Sequence, residues 1–370
     1  MAAGCAAGRS APAAPPPADP PEMVVPAAQS GRVPWSQPVR MYAVRGTFLT
    51  VAVTAADTAD PVVGSVSPDG LSWVSAAALV PLTRYTVTAD LVDARQRVVR
   101  RSLEVRATDT DRHLTATVSP GDKDTVGVGM PVVVVFNTDV PSAQRPAVQG
   151  RLGVTSTPAV DGSWHWISGH EVHWRPQVYW PAGTQVTVHT DLTHFDLGGG
   201  LWGRGQHTAD FTIGDAHIST ADVAAHTFTV TSNGQTLRAI PMSAGRDVFP
   251  TKNGAHIVLE KAQVVTMDSQ TVGIPRNSPD GYFEKVFWDV RISNGGAFVH
   301  AAPWSANDQG HRNVSHGCVN ISTADAQWFY GIARRGDIVN VVNSPAPPDR
   351  ADPGMADWNI SWNAWLAGAA

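Results

Sequence analysis

The chain has 370 residues, too many for one hydrophobic core, so two to four domains are expected. Its 27 Lys and Arg against 32 Asp and Glu give a net charge of −5, which excludes a generic nucleic-acid binder. With 33 Gly, 28 Pro and only 16% charged residues, β-sandwich or barrel domains are indicated; the longest apolar runs, such as Val132–Phe136, are strand-length, so none spans a membrane.

Residues 1–40 carry nine prolines from Pro12 to Pro38 among alanines, the composition of an extended, solvated tether. Ala2-Ala3-Gly4-Cys5 resembles the end of a bacterial lipobox, although four residues cannot hold the signal that precedes one. A lipid anchor at Cys5 would let the Pro-rich spacer lift the folded part off a membrane.

Strand patterns follow at Met41–Val53, Leu71–Val74, Tyr85–Leu91 and Val98–Val105, separated by turn residues, and predict an immunoglobulin-like sandwich over residues 41–109. Leu114–Val118, Val132–Phe136, Trp164–Ile167, Glu171–Trp174, Gln185–Thr190 and Thr208–Ile213 predict a second sandwich over 110–214. A third, β-rich domain is expected over 215–345. It opens on a hairpin around Asn233-Gly234 and contains one helix, capped by Ser322 with Asp325, carrying Arg334 and Arg335 in its last turn and stopped by Gly336. Residues 346–370 form a tail in which Trp358, Trp362 and Trp365 share one helical face and are expected to pack on the third domain. The fold class is thus mainly β: two tandem sandwiches, a β-rich domain with few helices and a Trp-rich end.

The two cysteines, Cys5 and Cys318, cannot make a disulfide framework or a multi-cysteine zinc site. Cys318 sits in Ser315-His316-Gly317-Cys318-Val319-Asn320. A thiol with pKa about 8.5 becomes a nucleophile when an imidazole takes its proton. His316 would lie on the same side as Cys318 in an extended segment, and His300 ends a predicted strand upstream. Gly317 leaves room for a substrate and frees backbone N–H groups for an oxyanion hole. His170 and His173 fit no metal-binding pattern, and Asp196 with its glycines reads as an ordinary turn; neither a metal nor a cofactor is expected.

His300-Ala301-Ala302-Pro303-Trp304-Ser305, Gly310-His311 and Ser315–Asn320 together resemble the active-site signature of the L,D-transpeptidases of the YkuD type. Met267-Asp268-Ser269, Gly273-Ile274-Pro275 and Ser278-Pro279-Asp280-Gly281-Tyr282 resemble the mycobacterial-type members, which also carry immunoglobulin-like domains in front and a Trp-rich segment behind. The resemblance implies that Cys318 is the acylated nucleophile. His300 would be the general base, oriented by the Ala301 carbonyl, and His316 a helper beside the thiolate. Ser315, Gly317 and Asn320 would lie near the substrate, Tyr282 on a lid with its hydroxyl near the oxyanion, Met267 in the pocket wall, and Gly295 and Gly296 on a substrate-contacting strand. Trp304 would pack under the loop.

It further implies an exported, monomeric cell-envelope enzyme acting on peptidoglycan stem peptides, with a tetrapeptide donor and a diaminopimelate acceptor, forming 3→3 cross-links, releasing D-alanine and inactivated by carbapenems. An L,D-carboxypeptidase, an enzyme attaching proteins to the wall, and a non-catalytic wall-binding module are the alternatives.

Overall fold

Alternation builds the first sandwich. In Arg84–Val92, Tyr85, Val87, Ala89 and Leu91 are buried while the residues between them stay more exposed. This is a computed structural model, and it describes residues 19–26, 28, 31–350 and 355–368; Cys5 and most of the expected tether lie outside the described residues. The chain divides into two compact units, residues 1–113 with 196–202, and residues 114–195 with 203–370.

In the first unit, one sheet orders Glu22–Val24, Pro38–Val44, Ser72–Ala78 and Gly64–Val66; the other orders Arg32–Val33, Val98–Ala107, Arg84–Val92 and Thr47–Ala55. The expected single strand Met41–Val53 is in fact two strands in opposite sheets. The chain turns between them at Arg45, with φ 58°, and Gly46. Part of the expected tether also folds. Glu22–Val24 and Arg32–Val33 pair into the sheets, and Val33 and Val39 are buried. Such short strands carry no periodic signal. The Asp196–Gly200 turn belongs to this unit: Arg112 donates to the Gly199 carbonyl and Thr110 to the Gly200 carbonyl, both at 2.8 Å.

The second unit begins with a sandwich of two four-stranded sheets. One orders Ala116–Ser119, Val132–Phe136, Glu171–Pro176 and Gly162–Trp166; the other orders Thr125–Val126, Gln206–Ile213, Gln185–Asp191 and Leu152–Thr157. Nine strands follow: β1 His217–Asp222, β2 Thr227–Ser232, β3 Gln235–Pro241, β4 Gly254–Ile257, β5 Glu260–Asp268, β6 Phe283–Arg291, β7 Phe298–Ala301, β8 Val319–Ile321 and β9 Ile338–Val342. They make one sheet in the order β3-β2-β1-β9-β4 and another in the order β5-β6-β7-β8.

Helix α1, Thr323–Ile332, packs against β6 and β7, with Phe329 edge-on to Phe228 of β2 at 5.0 Å. Ser322 caps it, accepting the Asp325 N–H at 3.1 Å. The helix ends at Ile332, so Arg334 and Arg335 lie beyond its last turn. Lys261 takes the carbonyls of Tyr330 and Ala333 instead, each at 2.7 Å.

The tail corrects an expectation. Its helix α2, Trp362–Ala367, presents the buried Trp365 to the second sandwich rather than completing the core of the third domain. The Trp365 indole N–H donates to the Ser163 carbonyl at 2.9 Å, and its ring stacks on His165 at 4.5 Å. The Trp358 indole N–H donates to the Gly129 carbonyl at 2.7 Å. The Arg175 guanidinium lies over the rings of Trp358, Trp362 and Trp365. The tail also packs on the third domain, as expected, through other residues: Asn359 binds the N–H and carbonyl of Ala255, the Asp349 N–H donates to the Asn253 carbonyl at 3.0 Å, and the Asn253 amide donates to the Ala346 carbonyl at 2.6 Å. The indoles turn to the sandwich because it offers them a cation and open backbone.

Backbone meets backbone nearby. The N–H groups of Gly127 and Gly129 donate to the carbonyls of Arg335 and Gly336, both at 2.8 Å. A Cβ on Gly127 would stand 2.2 Å from the Asp337 nitrogen, and one on Gly129 2.1 Å from the Ile338 side chain.

Candidate active site

Strands β7 and β8 run parallel, with His300 opposite Asn320. Cys318 stands just before β8, where the chain bends through Gly317 at φ 126°, a conformation open to glycine. The expected extended segment is therefore a bend. Ser315 holds it: its hydroxyl donates to the Cys318 carbonyl at 2.7 Å and accepts the Gly317 N–H at 3.0 Å. Ser315 thus braces the loop while lining the cavity, and the Gly317 N–H is already used within the loop. Gly295 and Gly296 lie in the turn before β7 rather than on the strand, and the Gly296 carbonyl accepts the Cys318 thiol at 3.8 Å.

The thiol opens into a cavity of about 150 Å³ lined by Met267, Tyr282, Glu284, His300, Trp304, Val314, Ser315, His316, Cys318 and Asn320. The His300 Nδ1–H donates to the Ala301 carbonyl at 2.9 Å. A carbonyl can only accept, so the proton sits on Nδ1 and Nε2 keeps its lone pair. Burial lowers the His300 pKa to about 4. Burial also pushes the Cys318 thiol up to about 12, with the carboxylates of Asp289 and Glu284 adding to the effect. Burial thus works against charge on both the thiol and the imidazole.

His316 lines the same cavity, yet its Nε2 accepts from Arg246 at 3.1 Å. Its ring packs between Phe249 and Tyr282, at 5.1 and 5.0 Å. Burial and the Arg246 charge lower its pKa. Arg246 also pairs with Asp280, so one guanidinium ties the His316 loop to the segment between β5 and β6. That segment is closed on itself by Arg276, which holds Asp268 through two hydrogen bonds of 2.8 and 2.7 Å. Asn320 sends its amide N–H to Ser305 at 3.3 Å, while its buried Oδ1 has no partner. Trp304 is 54% exposed with its ring 6.0 Å from His300, so it flanks the cavity mouth instead of packing under the loop.

Three groups escaped the sequence reading. Arg246 is 70 positions from His316, and nothing local marks it. Glu284 could have been found, since it follows Tyr282 by two residues and a strand returns to the same face at that spacing. Asp289 is fully buried on β6, and no side chain pairs with its carboxylate among the described residues. Burial raises its pKa to about 7.

A thiol and a neutral imidazole sharing one polar cavity are the parts of an acyl-transfer site. The model of the L,D-transpeptidase catalytic domain, YkuD, matches residues 216–341, and that of a bacterial Ig domain matches residues 30–196. L,D-transpeptidase 2 of Mycobacterium tuberculosis is 41% identical over 334 residues, covering 90% of this chain and 81% of that protein. L,D-transpeptidase 5 of the same species is 33% identical, covering 90% and 73%. The solved L,D-transpeptidase LdtMt1 in complex with imipenem matches 62% of this chain and 99% of its own, with TM-score 0.56 and 39% identity. An L,D-transpeptidase from Mycobacterium smegmatis matches 63% and 99%, with TM-score 0.52 and 36% identity. The chain therefore belongs to the L,D-transpeptidase family.

Proposed function

We propose that the enzyme attacks the L,D amide of a peptidoglycan tetrapeptide stem through Cys318 and passes the acyl group to a second stem. The Cys318 Sγ bonds to the carbonyl carbon while its proton moves to His300 Nε2. The C–N bond then breaks, and the imidazolium returns the proton to the departing D-alanine amine, leaving a thioester. The side-chain amine of diaminopimelate on the second stem attacks that carbonyl. The C–S bond breaks, and the new amide is a 3→3 cross-link.

The observation that carries this reading is the His300 Nδ1–Ala301 hydrogen bond of 2.9 Å, which leaves Nε2 free in the cavity that Cys318 lines. The Tyr282 hydroxyl has no hydrogen-bond partner among the described residues and serves the carbonyl oxygen in the transition state. His316 acts by holding this wall of the cavity through Arg246. The imipenem complex of a relative supports inactivation by carbapenems through the same thiol.

On this reading the enzyme acts outside the cytoplasmic membrane, where its proposed substrate lies. A lipid at Cys5, the tether ahead of the sandwiches and a monomeric chain belong to the same reading. Incubation of purified enzyme with tetrapeptide stems, followed by mass spectrometry, tests it. A cross-linked dimer lacking one D-alanine is expected; tripeptide alone would make the enzyme a carboxypeptidase, and unchanged substrate would refute it.

A further inference from the structure

Four carboxylates of the third domain are paired with arginines. Asp268 is held by Arg276, Asp280 by Arg246, Asp308 by Arg312 and Glu260 by Arg291. Glu284 lines the cavity with Cys318 and has no hydrogen bond or ion pair among the described residues. It sits opposite Met267 in the β5–β6 pairing, and Met267 lines the same cavity. The neighbours Phe283 and Lys285 point to the other face, as alternation requires. Asp289 is the other unpaired carboxylate on this strand, but it is fully buried and does not line the cavity. Glu284 is thus the one carboxylate among the residues lining the cavity.

An unpaired carboxylate beside a thiol is a cost to acyl transfer, because it disfavours the developing thiolate. Glu284 is exposed as a residue, and the desolvation that the cavity side imposes on its carboxyl raises its pKa. A cationic group brought by the substrate would offset both effects. We infer that Glu284 is the recognition group for the primary ammonium at the end of the diaminopimelate side chain. This rests on the reading of the enzyme as a stem-peptide transpeptidase, and it adds a specificity-determining residue to it. The ammonium comes from the donor stem, whose diaminopimelate carries the scissile bond, or from the acceptor. On the acceptor, Glu284 also takes the first proton of the ammonium. The amine nitrogen then bonds to the thioester carbon, its second proton goes to His300 and on to the departing Cys318 sulfur, and Glu284 loses its proton to solvent.

Two kinetic arms separate the sources. In the first, thioester formation is timed with a tetrapeptide bearing a free diaminopimelate side-chain amine and with the same peptide acetylated there. In the second, the preformed thioester is challenged with increasing free-amine acceptor. Wild-type enzyme should favour the free-amine donor about tenfold in kcat/KM, or Glu284→Gln should raise the acceptor KM about tenfold, the worth of one charge-assisted hydrogen bond. A collapse of the donor preference in Glu284→Gln identifies the donor ammonium; a raised acceptor KM identifies the acceptor. Glu284→Asp should keep part of either effect, and it replaces Glu284→Gln if that variant melts early.

Unchanged donor preference and unchanged acceptor KM in Glu284→Gln would overturn the inference alone. Loss of carbapenem acylation in the folded variant would assign Glu284 to the thiol and also overturn it. No thioester with wild-type enzyme would refute the transpeptidase reading itself.

Discussion

The tail residue Asp357 and the sandwich residue His173 share a 2.9 Å hydrogen bond, and their side chains are 1% and 0% exposed. The other ring nitrogen of His173 meets Glu171 at 2.8 Å. Burial opposes a charge on this imidazole, but Asp357 and Glu171 outweigh it and raise the pKa to about 9. The folded pKa lies above the unfolded value of 6.5, so the stabilisation is full below pH 6.5 and is lost as pH rises through 9. The thermal midpoint of the full chain should fall across that window, and His173→Gln should flatten the fall. Asp357→Ala should cost about 3–5 kcal/mol at neutral pH, because it leaves a buried charge short of a partner.

Tail and sandwich should melt as one. Trp365→Ala removes a fully buried indole and should destabilise the full chain by about 3–5 kcal/mol. A fragment holding only residues 215–370 keeps the tail but loses Ser163, His165 and Arg175, on which the indoles rest. Differential scanning calorimetry should give the fragment a lower midpoint than the second unit with its sandwich; an equal midpoint would show that the third domain holds the indoles unaided.

Three substitutions rank the catalytic groups. Cys318→Ala should abolish thioester formation while leaving the melt unchanged. His300→Ala should lower the acylation rate about 10²–10⁴-fold. His316→Ala should cost less, and Arg246→Ala should resemble it, since Arg246 fixes the ring. A larger loss in His316→Ala than in His300→Ala would exchange their roles.

Thiol reactivity should report how burial opposes charge on Cys318. With the Cys318 thiol pushed up to about 12, alkylation by iodoacetamide should keep rising through pH 9 without a plateau near 8.5. A plateau below pH 7 would mean a resting thiolate–imidazolium pair.

Asp289 costs stability in the folded state. Its pKa is raised by burial from 3.8 to about 7, so stability is full below pH 3.8 and declines as pH rises to 7. At about 1.4 kcal/mol per unit, the loss above pH 7 is roughly 4 kcal/mol. Asp289→Asn should raise the thermal midpoint at pH 8 and do so far less at pH 4.

Cys318, His300, Tyr282, Met267 and Asn320 were legible because sequence neighbours on strands and their flanking loops carry them into one cavity. The sandwich strands were legible wherever a buried face alternates, as in Arg84–Val92. Arg246 was not, because a guanidinium reaching across 70 positions leaves no periodic trace. The partner of the tail tryptophans was misassigned for a related reason. The three tryptophans do not share one helix, since Trp358 lies in a 3-10 turn at Asp357–Asn359 ahead of Trp362–Ala367; they converge on Arg175, and spacing alone does not name that partner. Arg175, which decides it, lies nearly two hundred positions away.

The glycines at 127, 129 and 336 leave no slack where the second sandwich touches the third domain. A join made of side chains can be rebuilt by compensating changes, one contact at a time. Here a Cβ at Gly127 would meet the main chain at Asp337, one at Gly129 the Ile338 side chain and one at Gly336 the Met130 side chain and Gly127 nitrogen, so a larger residue at any of the three must shift the other side. Recombination between relatives should therefore succeed only when the Gly127-Val128-Gly129 turn, the loop through Gly336 and the last helix are exchanged as a set. A cassette cut between residues 214 and 215 would carry the chemistry and leave its foundation behind.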